Sequence, residues 1–145
     1  DNYNIDAYKI TDSVHSSDKL SASGDQIFVY TDGACRGNPG ESGIACVVYD
    51  SNNKEILSDY KFIGKATNNI AEYRALVFRL QLLKKIDKND KINFFSDSEL
   101  LVKQIQGKYK ISSENIKQYY LEFMSKIKEY KSYSIKHIRR DKNKI

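Results

Sequence analysis

Ile27-Phe28-Val29-Tyr30 is an unbroken apolar run that leads into Asp32 and then into Gly33, Gly37, Asn38, Pro39 and Gly40. Four β-favouring residues followed by chain-turning ones predict a buried strand over 27–31. The apolar run 43–49 and the loosely alternating stretch 55–64 predict two more strands, separated by the turn residues Asp50-Ser51-Asn52-Asn53. Three consecutive strands joined by short turns form an antiparallel meander. The period then changes. Ile70, Tyr73, Leu76, Val77, Leu80 and Leu83 recur at three and four, which predicts a helix ending near Lys84-Lys85. Asn68 and Asn69 stand before it as capping candidates. Ile92-Asn93-Phe94-Phe95 predicts a fourth strand, and Leu100, Leu101 and Ile105 a short helix closed by Gly107. Ile116, Tyr119, Tyr120, Phe123, Met124, Ile127 and Tyr130 predict a second long helix. Tyr133 and Ile135, with Ile138, make a last strand. The order β-β-β-α-β-α-α-β implies a mixed α/β sheet with helices on its faces.

Length adds that 145 residues suit one domain. Residues 1–25 are polar, rich in Ser and Asp, and lack a sustained period. They read as a tail or linker, which leaves 26–145 as the domain. No apolar run approaches the ~18 residues that cross a membrane. The first residues show no basic region followed by an apolar one, so no signal peptide is expected. Cys35 and Cys46 are the only cysteines, and they lack the partners and spacing of a zinc site. A reduced, cytoplasmic setting fits them better than a disulfide framework. The net charge of +5 is unevenly spread: residues 101–145 hold twelve basic and four acidic side chains. A basic third on a balanced body suggests a polyanionic partner. The plainer alternative is a solvated basic face.

Three acids stand out against this map. Asp32 and Asp97 each follow a core strand, and Glu72 lies in the first turns of the long helix beside its apolar positions. If strands 27–31 and 92–95 are parallel neighbours, Asp32 and Asp97 stand side by side. Ligands in open α/β sheets bind at such strand ends. Three gathered carboxylates repel one another, and a divalent cation with a taste for hard oxygen relieves this: Mg²⁺ or Mn²⁺. Mg²⁺ completes its shell with water and substrate phosphate, so the arrangement predicts phosphate chemistry. Each acid also has an ordinary explanation. Asp32 could cap its own turn, Glu72 could complement the helix dipole, and Asp97 could cap the next helix. Two strand-end acids and a core-edge Glu together favour the metal site.

These residues carry a resemblance to ribonuclease H type 1, in its reverse-transcriptase-like branch without a basic handle. The matching segments are Tyr30-Thr31-Asp32-Gly33-Ala34-Cys35-Arg36-Gly37-Asn38-Pro39-Gly40 and Thr67-Asn68-Asn69-Ile70-Ala71-Glu72-Tyr73-Arg74-Ala75-Leu76. Phe95-Ser96-Asp97-Ser98-Glu99-Leu100-Leu101-Val102, Gln104-Ile105-Gln106-Gly107-Lys108-Tyr109-Lys110 and His137-Ile138-Arg139-Arg140-Asp141-Lys142-Asn143 follow in the family's order. The resemblance implies a ribonuclease H-like α/β fold: a five-stranded mixed sheet, antiparallel meander plus parallel strands, flanked by helices. It implies a two-metal endonuclease that cuts the RNA strand of an RNA–DNA hybrid, leaving 5′-phosphate and 3′-hydroxyl ends. Asp32, Glu72 and Asp97 fall on three of the four family acids, with Asp32 bridging two Mg²⁺ ions and Mn²⁺ as a substitute. Gly33, Ala34, Cys35, Arg36, Asn38, Asn68, Asn69 and Ser98 match positions that hold the hybrid.

The sequence also departs from the family. The fourth acid falls two positions past Ile145, so the expected domain lacks that acid and the closing helix. The stretch after Gly107 is too short for a tryptophan-rich handle, and Lys108, Lys110 and Lys117 stand as a smaller substitute. His137 is expected to be structural. The alternative function is a non-catalytic nucleic-acid-binding module of the same fold. A DNA-cutting relative of the resolvase or integrase kind is a third reading, which Asn68-Asn69 disfavours. A monomer is expected.

Overall fold

β1 (Gln26–Arg36) alternates in burial, with Ile27, Val29, Thr31 and Gly33 buried and Phe28, Tyr30 and Asp32 half-exposed. That alternation sends successive side chains to opposite faces of one sheet. The computed structural model describes residues 25–145, so the expected tail 1–25 lies, apart from Asp25, outside the described residues. β2 (Gly40–Tyr49) and β3 (Glu55–Ala66) complete the expected antiparallel meander. β4 (Lys91–Ser96) and β5 (Ser132–His137) join it in parallel, giving the sheet order β3-β2-β1-β4-β5. β1 and β4 are therefore parallel neighbours, as a pairing of Asp32 with Asp97 requires. Thr31 pairs with Ser96, and each strand then runs on into its aspartate.

α1 (Asn68–Val77), α2 (Glu99–Ile105) and α3 (Glu114–Ile127) build one core with the sheet. Phe123 of α3 meets Phe94 edge-on at 5.1 Å, and Tyr73, Leu76, Leu101 and Ile105 fill the space between the helices and β1 and β4. The other face of the sheet bears an aromatic row, with Phe95 stacked on Tyr30 at 4.8 Å and on Phe28 at 6.4 Å.

Several local expectations change. β1 does not end at Thr31 but runs on to Arg36, paired with β2 through Asp32 and Ala45, so Asp32 lies within the strand, one residue past its last β4 partner. The predicted helix stops at Val77 rather than near Lys85. Arg79 adopts a left-handed φ of +67°, and a 3-10 helix, Leu80–Lys85, carries Leu80 and Leu83 into the core. Arg79 is held in that turn by Asp59 of β3, which accepts from its Nε at 2.8 Å. The cap of α1 is Thr67, whose hydroxyl accepts from the Ile70 amide at 3.3 Å, while Asn68 and Asn69 lie inside the helix. The cap of α2 is Ser98 rather than Asp97, with its hydroxyl accepting from the Leu101 amide at 3.2 Å. His137 lies in the last strand as expected, exposed at the end of β5.

Candidate metal and nucleic-acid site

Gly33 is what lets α1 lie close over β1. A Cβ there would fall 2.4 Å from the Ala71 carbonyl carbon and oxygen, so only glycine permits the approach. At that contact the Gly33 amide donates to Oε1 of Glu72 at 3.1 Å. Asp32 arrives from β1, Asp97 from the end of β4, and Glu72 from the buried side of α1. One oxygen of each of the three lies within 4.8 Å of the others.

Crowding and burial set the electrostatics. Burial, and then the Asp97 charge, push the Asp32 carboxyl up to about 6. Glu72 is also raised, by burial first and then by Asp97 and Asp32. The Asp97 side chain is 4% exposed, and with all three acids ionised neither of its oxygens meets a hydrogen-bond donor. A proton on Glu72 would supply one. Arg140 partly offsets the charge from 3.6 Å, but its own side chain is 84% exposed. Buried carboxylate oxygens without donors, all of them hard ligands, fit a divalent cation.

A groove of about 470 Å³ opens beside the acids. Of the predicted substrate-holding residues, Gly33, Ala34, Cys35, Asn38, Asn68, Asn69 and Ser98 line it. Arg36 does not; it is exposed at the end of β1. Asn38 has a second task, for its side-chain oxygen accepts from the Asn68 amide at 2.8 Å and joins the glycine turn to α1. The Asn69 side-chain oxygen is buried and without a donor, free to accept one from a ligand. Leu100 and Arg140 also line the groove and were not among the predicted residues. The signal for Arg140 is weak in sequence because its place depends on the far end of the chain. Asn143 donates from Nδ2 to the Thr31 carbonyl at 3.2 Å, which carries the closing segment over the end of β1. Asp141, in the same segment, pairs with Arg139 at 3.0 Å and stays apart from the acid cluster.

The comparisons agree with this arrangement. The reverse-transcriptase-like family profile matches residues 30–145. Ribonuclease HI of Halobacterium salinarum is 30% identical over 120 residues, which cover 83% of this chain and 60% of that protein. The bifunctional protein Rv2228c of Mycobacterium tuberculosis is 29% identical over 119 residues, 81% of this chain. This chain spans only 32% of the length of that relative. Among solved structures, LC11-RNase H1 in complex with an RNA/DNA hybrid superposes with a TM-score of 0.75 at 35% identity, over 81% of this chain and 88% of that one. With the profile covering most of its length, this chain belongs to the reverse-transcriptase-like family of ribonuclease H domains.

Proposed function

We propose that this chain is a metal-dependent endonuclease that cuts the RNA strand of RNA–DNA hybrids and leaves 5′-phosphate and 3′-hydroxyl ends. The observation that carries the reading is the convergence of Asp32, Glu72 and Asp97 to within 4.8 Å, at one end of a groove lined by the glycine turn and by Asn68 and Asn69. The neighbour solved with an RNA/DNA hybrid supports the same substrate.

Asp32, Glu72 and Asp97 would hold two divalent ions, Mg²⁺ or Mn²⁺. Bound there, such ions supply Lewis acidity: an activated water for attack and positive charge for the departing 3′ oxygen. The remaining work belongs to the chain itself. Glu72, held by the Gly33 amide, would read a 2′-hydroxyl, the group that separates RNA from DNA, as the resemblance to ribonuclease H implies. The donor-free Asn69 oxygen can accept from the same strand. Gly33, Ala34 and Cys35 offer backbone close to the sugars, since Gly33 leaves no side chain in the way. Arg140, beside Asp97 and exposed, is placed to meet the phosphate. The two free thiols, Cys35 and Cys46, go with a reduced intracellular setting, and we read the protein as a monomer there.

The test is cleavage of a labelled RNA–DNA hybrid in Mg²⁺ and in Mn²⁺, beside RNA–RNA and DNA–DNA duplexes. Hybrid-only cutting is expected, and Asp32→Asn and Asp97→Asn should each abolish it. Tight hybrid binding with no cutting in either metal would replace this reading with that of a binding module.

A further inference from the structure

β3 is the outer strand of the sheet, and among the described residues no strand pairs with its free edge. Edges of this kind are commonly blunted by charge and by bulges. β3 has both: Glu55, Asp59, Lys61 and Lys65 along its length, and register shifts that leave Ile56 and Ile63 without a partner on β2. Yet it also bears the two most exposed large apolar residues of the described chain, Tyr60 at 73% and Phe62 at 83%. Their partners on β2 are Ala45 and Gly43, too small to shield a ring. A strand that served only as a protected edge would place its charges at these two positions.

The charges also have an order that a solvated edge does not need. Counted outward from Tyr60, Asp59 and Lys61 stand at one step, Glu55 and Lys65 at five, with the acid always before and the base always after. One residue without a β2 partner lies on each side, so the two arms keep equal ladder length. Tyr49, Ala45, Gly43 and Glu41 of β2 alternate onto one face, and their partners Glu55, Tyr60, Phe62 and Lys65 share it. Turned about a two-fold axis through Tyr60 and set antiparallel to itself, β3 therefore meets its own complement. Glu55 faces Lys65 of the second copy on the aromatic face, Asp59 faces Lys61 on the other, and each pair occurs twice. Tyr60 stands beside its own mate, with Phe62 on the diagonal and within ring reach. A register centred on Asp59 or on Lys61 would instead set like charges face to face. Asp59 keeps its pairing with Arg79 throughout.

We propose that β3 is a self-pairing edge, through which two copies of this chain join their sheets into one continuous sheet centred on Tyr60. The pairing covers the Tyr60 and Phe62 rings of both copies with each other, and aromatic residues are what interface centres favour. The directly opposed stretch, 58–62, is short, so the interface falls below about 1,200 Å² in total, the range of weak association. A Kd on the order of 10–100 µM is expected at that size. Dilute protein is then the monomer taken above, and concentrated protein is the dimer. Asp32 lies in the same cross-sheet row as Ala45 and Tyr60. The aspartates of the two copies therefore stand roughly 24 Å apart, five strand spacings along one row.

Sedimentation equilibrium of the whole chain, from about 1 to 500 µM, reads this association. Tyr60→Thr with Phe62→Thr should leave a monomer throughout, with a thermal midpoint near that of the unsubstituted protein, since both rings are exposed. Glu55→Lys and Lys65→Glu should each weaken association about tenfold, because two attractive pairs become repulsive. The chain that carries both changes has opposite signs restored and should pair like the unsubstituted one. An equimolar mixture of the two single variants should form a heterodimer more tightly than either variant pairs with itself. Glu55 and Lys65 lie outside the groove beside the acids, so hybrid cleavage by dilute protein should not change, and the result is separate from the nuclease reading. A chain that stays monomeric at every concentration, as it would with another strand covering the edge, would overturn the proposal. So would association that ignores these charges, or that fails to return when both are exchanged.

Discussion

A methyl group at Gly33 would have to occupy space already taken by the backbone of α1, 2.4 Å from the Ala71 carbonyl and 2.6 Å from the Glu72 amide nitrogen. Neither group is the flexible end of a side chain, so the helix must shift. Gly33→Ala should therefore cost about 2–3 kcal/mol, the upper range for overpacking, and should move Glu72 away from Asp32 and Asp97. Gly43→Ala is the matched control, because its Cβ would find nothing closer than 3.7 Å. Chemical denaturation of both variants, with Mg²⁺ titrations, separates the two outcomes: loss of stability and metal affinity for the first, little change for the second. The three acids were legible from sequence because each lies beside a clear apolar pattern: Asp32 after the run 27–30 inside β1, Glu72 next to Ile70 and Tyr73 inside α1, and Asp97 just past β4. Arg140 was not, since its position depends on the bond between Asn143 and the Thr31 carbonyl, 112 residues apart. Local pattern carries no trace of such a contact.

Strands and helices were legible for the same reason, and the break in α1 shows where that stops. Leu76, Leu80 and Leu83 keep a helical spacing and are all buried, yet the helix ends at Val77. A 3-10 helix buries the same residues after a turn, so the apolar period survives the break and hides it. What fixes the turn lies on another strand: the Arg79 guanidinium pairs with Asp59 at 2.5 Å, with side-chain exposures of 12% and 14%. Removing Arg79 takes the guanidinium from the nearly buried Asp59 carboxylate, and removing Asp59 takes a carboxylate from the nearly buried Arg79. Arg79→Ala and Asp59→Ala should each destabilise by about 2–4 kcal/mol, toward the range for a broken buried pair. The double variant should lose less than the sum, since the second change removes a charge already stranded. A urea-denaturation cycle measures this, and strict additivity would mean that the pair does not hold the turn.

For the molecule as a whole, the acid cluster links stability to pH and to metal. Asp32 titrates near 6 in the folded protein against an ordinary value near 4, and Glu72 is raised in the same direction. The folded state thus binds protons more tightly than the unfolded chain. The resulting stability is fully present below about pH 4 and is lost as pH rises through 6, with the Glu72 share lost later. For Asp32 the shift corresponds to about 3 kcal/mol by linkage, which solvent on its open side reduces to roughly 1–2. Metal-free protein should therefore melt several degrees lower at pH 8 than at pH 5. Mg²⁺ should narrow that gap from the high-pH side, because a cation stabilises the ionised cluster and adds RT ln(1 + [L]/Kd) to the folded state. Asp97→Asn removes the charge that weighs most on both Asp32 and Glu72. In EDTA it should raise the melting temperature at pH 8 and flatten the profile, and it should also remove most of the gain from Mg²⁺. Opposite signs with and without metal follow only if repulsion among these acids is what the ion relieves. A variant that is destabilised in EDTA as well would mean that Asp97 supports the fold by contacts other than charge.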